Sequence, residues 1–218
     1  MFFFKNHGYI MHGIQLLEHN KDVIRYAKKA LVECPGIMEF GVSRDYGSTK
    51  IISDLAIETN STIKLVDPNN DTLQKAVSSV NEDISFQTIC AKGEDVDQNS
   101  FEGVGLFHLD GFDIVVSHKH KQSTIDAYTH AGIDLLRDGN VLAASSHYEI
   151  TKKIISSNTT KPSLVIFDDT WMEGGVWHGK GATAVPLLIN SGFSLISKPS
   201  RSKLFIKKFK WGVALYRD

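Results

Sequence analysis

A chain of 218 residues with 42% apolar side chains is long enough for one full hydrophobic core and too apolar for a disordered or fibrous protein. Its 24 lysines and arginines nearly balance 25 aspartates and glutamates, and the net charge of −1 removes the electrostatic case for nucleic acid as the main partner. Two cysteines, Cys34 and Cys90, both read as core-proximal, are too few for a disulfide scaffold and lack metal-ligand spacing, which points to a reducing, cytoplasmic setting. The opening Met-Phe-Phe-Phe-Lys is too short for a signal sequence and no later stretch has the length of a membrane span, so a soluble protein with no membrane partner is expected.

In chain order, residues 1–20 carry His7, Gly8 and Gly13, which break any period; they read as an N-terminal arm or lid ahead of one domain over 21–218. Asp22 to Val32 places Val23, Ile24, Ala27, Ala30 and Leu31 at helical spacing, and Pro35-Gly36 ends it. Ile37 to Phe40 is a buried strand that turns between Gly41 and Gly47 into a helix opening near Ser48 or Thr49. Glycines there let backbone approach a ligand closely, and the first helical N–H groups are open to oxygen atoms; the same pattern also serves as a plain tight connection. Further strands are expected at Ser61–Val66, Ile84–Ala91, Val104–Leu109 and Ser163–Phe167, with a helix at Asp71–Val80 capped by Asp71 or Asn70. Two helices are expected at about Ser123–Arg137 and Val141–Ser156, divided by Asp138-Gly139-Asn140. Trp171 to Gly181 reads as a mobile glycine-rich loop able to close over a substrate, with Lys180 at its surface. A helix to Asn190 and strands near Phe193–Ile196, Leu204–Phe209 and Val213–Tyr216 close the chain, the last two as a possible hairpin.

Strands alternating with helices predict an α/β fold: a Rossmann-like, doubly wound, mostly parallel seven-stranded sheet with an antiparallel C-terminal hairpin strand. The first five strands end on an acid or an acid-glycine cluster, and ligands of open α/β sheets bind beyond those carboxyl ends.

Three constellations stand out on that rim. Asp67, 26 positions beyond Gly41, can accept both hydroxyls of a ribose, or can belong to a turn and helix cap in Asp67-Pro68-Asn69-Asn70. Asp110, Asp168 and Asp169 would repel one another at neighbouring strand tips unless a cation sits among them, and their hard oxygens favour Mg²⁺, Ca²⁺ or Mn²⁺; the alternative is one capping and one solvated aspartate. His118 and His120 follow Asp110 closely and can face the crevice as acid-base groups, or lie in an exposed polar loop; His108, alternating with Phe107 and Leu109, reads as structural.

Together these residues resemble the class I S-adenosylmethionine-dependent methyltransferases over roughly residues 20–218. Glu39-x-Gly41 with Gly47-Ser48-Thr49 looks like the first motif of that family, and Asp67 looks like its acid after the second strand. Leu109-Asp110-Gly111-Phe112 and Asp168-Asp169-Thr170 resemble the metal-binding pattern of the cation-dependent O-methyltransferases, closest to the macrocin O-methyltransferase and cephalosporin hydroxylase-like group. The resemblance implies S-adenosylmethionine held by Glu39, Gly41, Gly47, Ser48, Asp67, Glu94 and Asp110. It also implies a divalent cation on Asp110, Asp168 and Asp169, and methyl transfer to a hydroxyl of a small molecule, sugar or aryl, with His118, His120 or Asp110 in catalysis. The glycine turn is longer than that motif usually is, with Arg44 and Asp45 inserted; 58 positions separate Asp110 from Asp168; and Asp113 stands where catechol-type enzymes place a lysine. A non-catalytic relative, or a nucleotide-sugar or dinucleotide enzyme on a similar sheet, would share the pattern. A homo-oligomer is possible.

Overall fold

The computed structural model describes residues 11–42, 47–112, 122–130, 132–157, 161–197 and 210–218. The chain runs β1 (Met11–His12), α1 (Leu16–His19), α2 (Lys21–Glu33), β2 (Gly36–Phe40), α3 (Ser48–Thr59), β3 (Thr62–Val66), α4 (Asn70–Val77), β4 (Phe86–Ile89) and β5 (Val104–Leu109). It continues through α5 (Gln122–His130), α6 (Leu135–Ser157), β6 (Ser163–Phe167), β7 (Thr170–Glu173), β8 (Val176–Gly179), α7 (Ala184–Asn190), β9 (Ser194–Ser197), β10 (Lys210–Trp211) and β11 (Val213–Arg217).

Local chemistry sets the helices. Asn20 opens α2 by accepting the N–H groups of Asp22 and Val23 on Oδ1, and Val23, Ala27, Ala30 and Leu31 then fall on one buried stripe. Asn69, rather than Asp71 or Asn70, caps α4, receiving Asp71 N–H at 2.9 Å and Thr72 N–H at 3.2 Å.

Seven strands form one sheet in the order β4-β3-β2-β5-β6-β11-β9. The five from β4 to β6 are parallel, and β11 enters antiparallel between β6 and β9. Every residue of β2, β5 and β6 is buried, as both-face coverage requires. Alternation divides the core: Ile37, Ile63, Leu106 and Ile166 pack against α2, α3 and α4, whereas Met38, Phe107, Val165 and Leu215 pack against α6 and α7. The strand order reverses between β2 and β5, so the crevice for a ligand opens above their carboxyl ends.

Elsewhere the structure corrects or refines the sequence pattern. Helix α6 runs unbroken through Asp138-Gly139-Asn140; the division falls earlier, where Asp134 accepts the Arg137 N–H at 3.1 Å and begins a helix that the buried Gly139 does not interrupt. Trp171 to Gly179 is an ordered β7–β8 hairpin turned by Gly174 and Gly175, both at positive φ, rather than a loop. Strand β11 pairs antiparallel with β9 and β6, and the other strand of the expected hairpin, residues 204–209, lies outside the described residues. Cys90 is exposed. Within 1–20, Ile14, Leu16 and Leu17 join the core, because Gly13 lies hard against the tip of β6.

Among the described residues no helix is long and apolar enough to cross a membrane.

Candidate functional site

Strand register assembles the site. Glu39 on β2 lies beside His108 on β5, and the backbone ladder continues one residue past each strand end: Gly41 N–H to Val66 O (2.9 Å), Asp110 N–H to Phe40 O (2.8 Å) and Asp168 N–H to Leu109 O (3.0 Å). Gly41, Asp67, Asp110 and Asp168 therefore stand at the same rim. Gly41 has φ +77°, and a Cβ there would come within 2.5 Å of Gly111 N, so the chain can turn beside the β5 tip only without a side chain.

On the β2 side, Glu39 is fully buried and accepts the Thr49 hydroxyl on Oε2 at 2.8 Å, which ties β2 to the first turn of α3. Its Oε1 lies 3.4 Å from His108 Nδ1. Burial pulls the His108 imidazole toward neutrality, but Glu39, with Asp110 and Asp168 behind it, holds its pKa above the ordinary histidine value. His108 Nε2 and Ser48 Oγ, both buried, meet no hydrogen-bond partner among the described residues. Asp67 accepts the Asn69 N–H at 2.8 Å and keeps part of its surface at the rim. Glu94 lies beyond β4 and accepts the Ser146 hydroxyl from α6. Gly47 precedes α3; residues 43–46 and the histidines His118 and His120 lie outside the described residues.

The β5–β6 side is denser in charge. Asp168 accepts the N–H groups of Gly13 (2.9 Å) and Asp169 (2.8 Å) on Oδ1. Asp169 has φ +43°, a left-handed turn unusual for a residue with a side chain. Between Asp110 and Asp169 sits an ammonium that the sequence reading left at the surface. Lys180 is 2% exposed, and its Nζ bonds Asp110 Oδ1, Asp110 O (3.0 Å) and Asp169 Oδ2 (3.1 Å). The β7–β8 hairpin delivers it: Gly179, at φ +78°, leaves Lys180 N–H 3.1 Å from Asp169 O, and a Cβ on Gly179 would lie 1.9 Å from that oxygen. Burial pulls the Lys180 pKa down, but Asp110, Asp169 and Asp168 raise it above the usual lysine value. Burial pushes the Asp110 carboxyl up to about 6 against the opposing charge of Lys180, with Asp168 adding to the rise. His108, Asp110 and Asp168 each offer a donor atom within 4.8 Å of the other two.

His147 on α6 lies behind this cluster, its Nδ1–H donated to Ala143 O at 2.7 Å and its ring against Phe167. Burial and the nearby Lys180 charge lower its pKa to about 3, so it is neutral. Next to Lys180 a cavity of about 730 Å³ opens between α6 and the hairpin, lined by Tyr148, Trp171, Trp177, His178, Asn140 and Thr183 among others. Trp171 and His178 stack with ring centroids 5.7 Å apart. Among the described residues no Lys, Arg, Asp or Glu lines the cavity.

No protein-family model and no curated protein matches the sequence. Solved structures do match in fold. The type IIG restriction endonuclease BpuSI is 14% identical with a TM-score of 0.50 over 98% of this chain, which spans about a quarter (26%) of that protein. A candidate methyltransferase from Streptococcus mutans, in complex with S-adenosylhomocysteine, is 13% identical with a TM-score of 0.49, over 88% of this chain and 96% of that one. The N-methyltransferase NodS from Bradyrhizobium japonicum is 8% identical with a TM-score of 0.44, over 92% and 97%. Strand order, the antiparallel β11 and the crevice beside β2 make this a Rossmann-like α/β fold.

Proposed function

We propose that the chain is an S-adenosylmethionine-dependent methyltransferase that methylates a hydroxyl of a small, uncharged, ring-bearing acceptor. The observation that carries this reading is the convergence of the Gly41 turn and the Asp67 carboxylate on the same rim as Asp110, next to an aromatic cavity that, among the described residues, has no charged walls. The residues fit the cofactor. Ser48 brings a hydroxyl with no partner among the described residues to the first turn of α3, near N–H groups suited to a carboxylate, and Asp67 stands where a ribose would be bonded. The cofactor supplies an electrophilic methyl on a sulfonium.

The chain itself has three tasks. Tyr148, Trp171 and Trp177 offer ring faces on which a sugar or aryl ring can lie, and Asn140 and Thr183 offer polar groups to orient it. Asp110, raised to about 6 and still 28% exposed at its side chain, is the group that takes the hydroxyl proton as the O–CH₃ bond forms and the S–CH₃ bond breaks. Positioning carries most of the rate, since methyl displacement needs little covalent help. The divalent cation that the resemblance implies on Asp110, Asp168 and Asp169 does not fit this arrangement, because Lys180 Nζ bonds Asp110 and Asp169 from between them. No step passes through a metal.

The test is S-adenosylhomocysteine release from S-adenosylmethionine across a panel of hydroxylated sugars and phenols. An acceptor that is turned over should show kcat/KM falling about tenfold per pH unit below about 6, where Asp110 is protonated, and level above it. Turnover that is flat from pH 5 to 8 removes Asp110 as base; no product with any acceptor removes the O-methyltransferase reading.

A further inference from the structure

The Asp110–Asp169 pair gathers two carboxylates whose mutual repulsion must be balanced in place. A loosely bound surface lysine would leave room for an ion. Lys180 is not one: it is buried, it arrives on a paired hairpin, and its ammonium donates to Asp110 Oδ1 and Asp110 O while forming an ion pair with Asp169 Oδ2 at 3.1 Å. Gly179 has no room for a Cβ against Asp169 O, so the backbone fixes where the lysine enters. The third carboxylate, Asp168, is engaged by the Gly13 and Asp169 N–H groups. A divalent ion bridging Asp110 and Asp169 would therefore have to displace the ammonium or sit against it, which leaves the His108, Asp110 and Asp168 group as the other place for it.

We propose that Lys180 is the resident cation of this site, a permanent protein-borne charge standing where the cation-dependent O-methyltransferases that this sequence resembles would carry a metal ion, so that the chain works without one. Lys180 acts through Asp110 and Asp169, holding their carboxylates in register at the mouth, and is a positioning residue. The site is thereby indifferent to metal supply and cannot be emptied by a chelator. The role in turnover rests on the methyltransferase reading above; the claim about the cation does not.

The experiment titrates Mn²⁺ into the full chain and follows the free-ion electron paramagnetic resonance signal, with S-adenosylhomocysteine calorimetry run in parallel with and without EDTA. Wild type should leave the Mn²⁺ signal undiminished and bind S-adenosylhomocysteine equally in both buffers. Lys180→Ala, which frees Asp110 and Asp169, should remove signal up to one Mn²⁺ per chain, and Lys180→Arg, which keeps a cation, should remove none. Stoichiometric Mn²⁺ binding by wild type, whether through His108, Asp110 and Asp168 or otherwise, overturns the proposal, and so does a folded Lys180→Ala that takes no Mn²⁺. If Lys180→Ala does not fold, the wild-type and Lys180→Arg titrations decide. Absence of S-adenosylhomocysteine binding in every buffer would strike the methyltransferase reading instead, whatever Mn²⁺ does.

Discussion

The two halves of the rim stand on adjacent strands yet are held by opposite means. Around Glu39 the linkage is short-range: β2 and the first residues of α3 supply Glu39, Gly41, Ser48 and Thr49, and the Thr49–Glu39 side-chain bond ties them together. Around Asp110 it is long-range, with Gly13, Asp168, Asp169 and Lys180 brought from both ends of the chain and locked by charge. The two buried histidines record the difference. His108, facing Glu39, is pushed toward the protonated form; His147, packed behind Lys180, is held neutral. Burial disfavours the charged form of both, and only His108 has a carboxylate close enough to outweigh it.

The comparison can be broken from either side. The largest effect is expected from Glu39→Ala, which strips both Thr49 and His108 of a partner in a site with no access to water. A loss of roughly 3–5 kcal/mol in urea unfolding is expected, with Glu39→Gln losing less because it can still accept from Thr49. On the other half, Gly179→Ala forces a Cβ onto Asp169 O from a left-handed backbone, and should cost roughly 2–4 kcal/mol while displacing Lys180. If Gly179→Ala unfolds at the wild-type midpoint, the hairpin does not fix the ammonium.

The effect of pH is the smallest near neutrality and grows as the solution is acidified. His147 titrates near 3 when folded and at its ordinary 6.5 when unfolded, so only the unfolded chain gains a proton between those values. Its contribution to stability is therefore complete above pH 6.5 and is lost as pH falls, by up to about 1.4 kcal/mol per pH unit. His108 runs the other way: its folded pKa is raised, so its contribution is complete below 6.5 and is lost as pH rises through the folded value. His147→Leu should flatten the acid limb of a plot of urea midpoint against pH and leave the limb above neutrality unchanged; an unaltered acid limb would mean that His147 is not held neutral.

Much of the fold was legible because β2, β5 and β6 are mostly apolar runs bounded by turn residues, and because Asp67, Asp110 and Asp168 each lie one residue past a strand. The sequence pattern misjudged places where a local signal met a longer-range one. Asp138-Gly139-Asn140 reads as a loop, yet the Asp134 cap three residues before Arg137 starts the helix ahead of it. Gly174-Gly175 was itself the mark of a hairpin, hidden by the surrounding glycines. Lys180 could not be recognised, since nothing in Gly179-Lys180-Gly181 announces two aspartates from strand tips 11 and 70 positions earlier. The two glycines, which keep Cβ atoms away from Asp169 and Thr170, are the signal that a lysine is being led inward.

The most direct measurement is calorimetric titration of S-adenosylhomocysteine into wild type and Asp67→Ala. Saturable binding at one site per chain, weakened about tenfold or more when the Asp67 carboxylate is removed, is the predicted result. No heat with wild type, or equal affinity in the variant, would contradict the assignment of this rim to the cofactor.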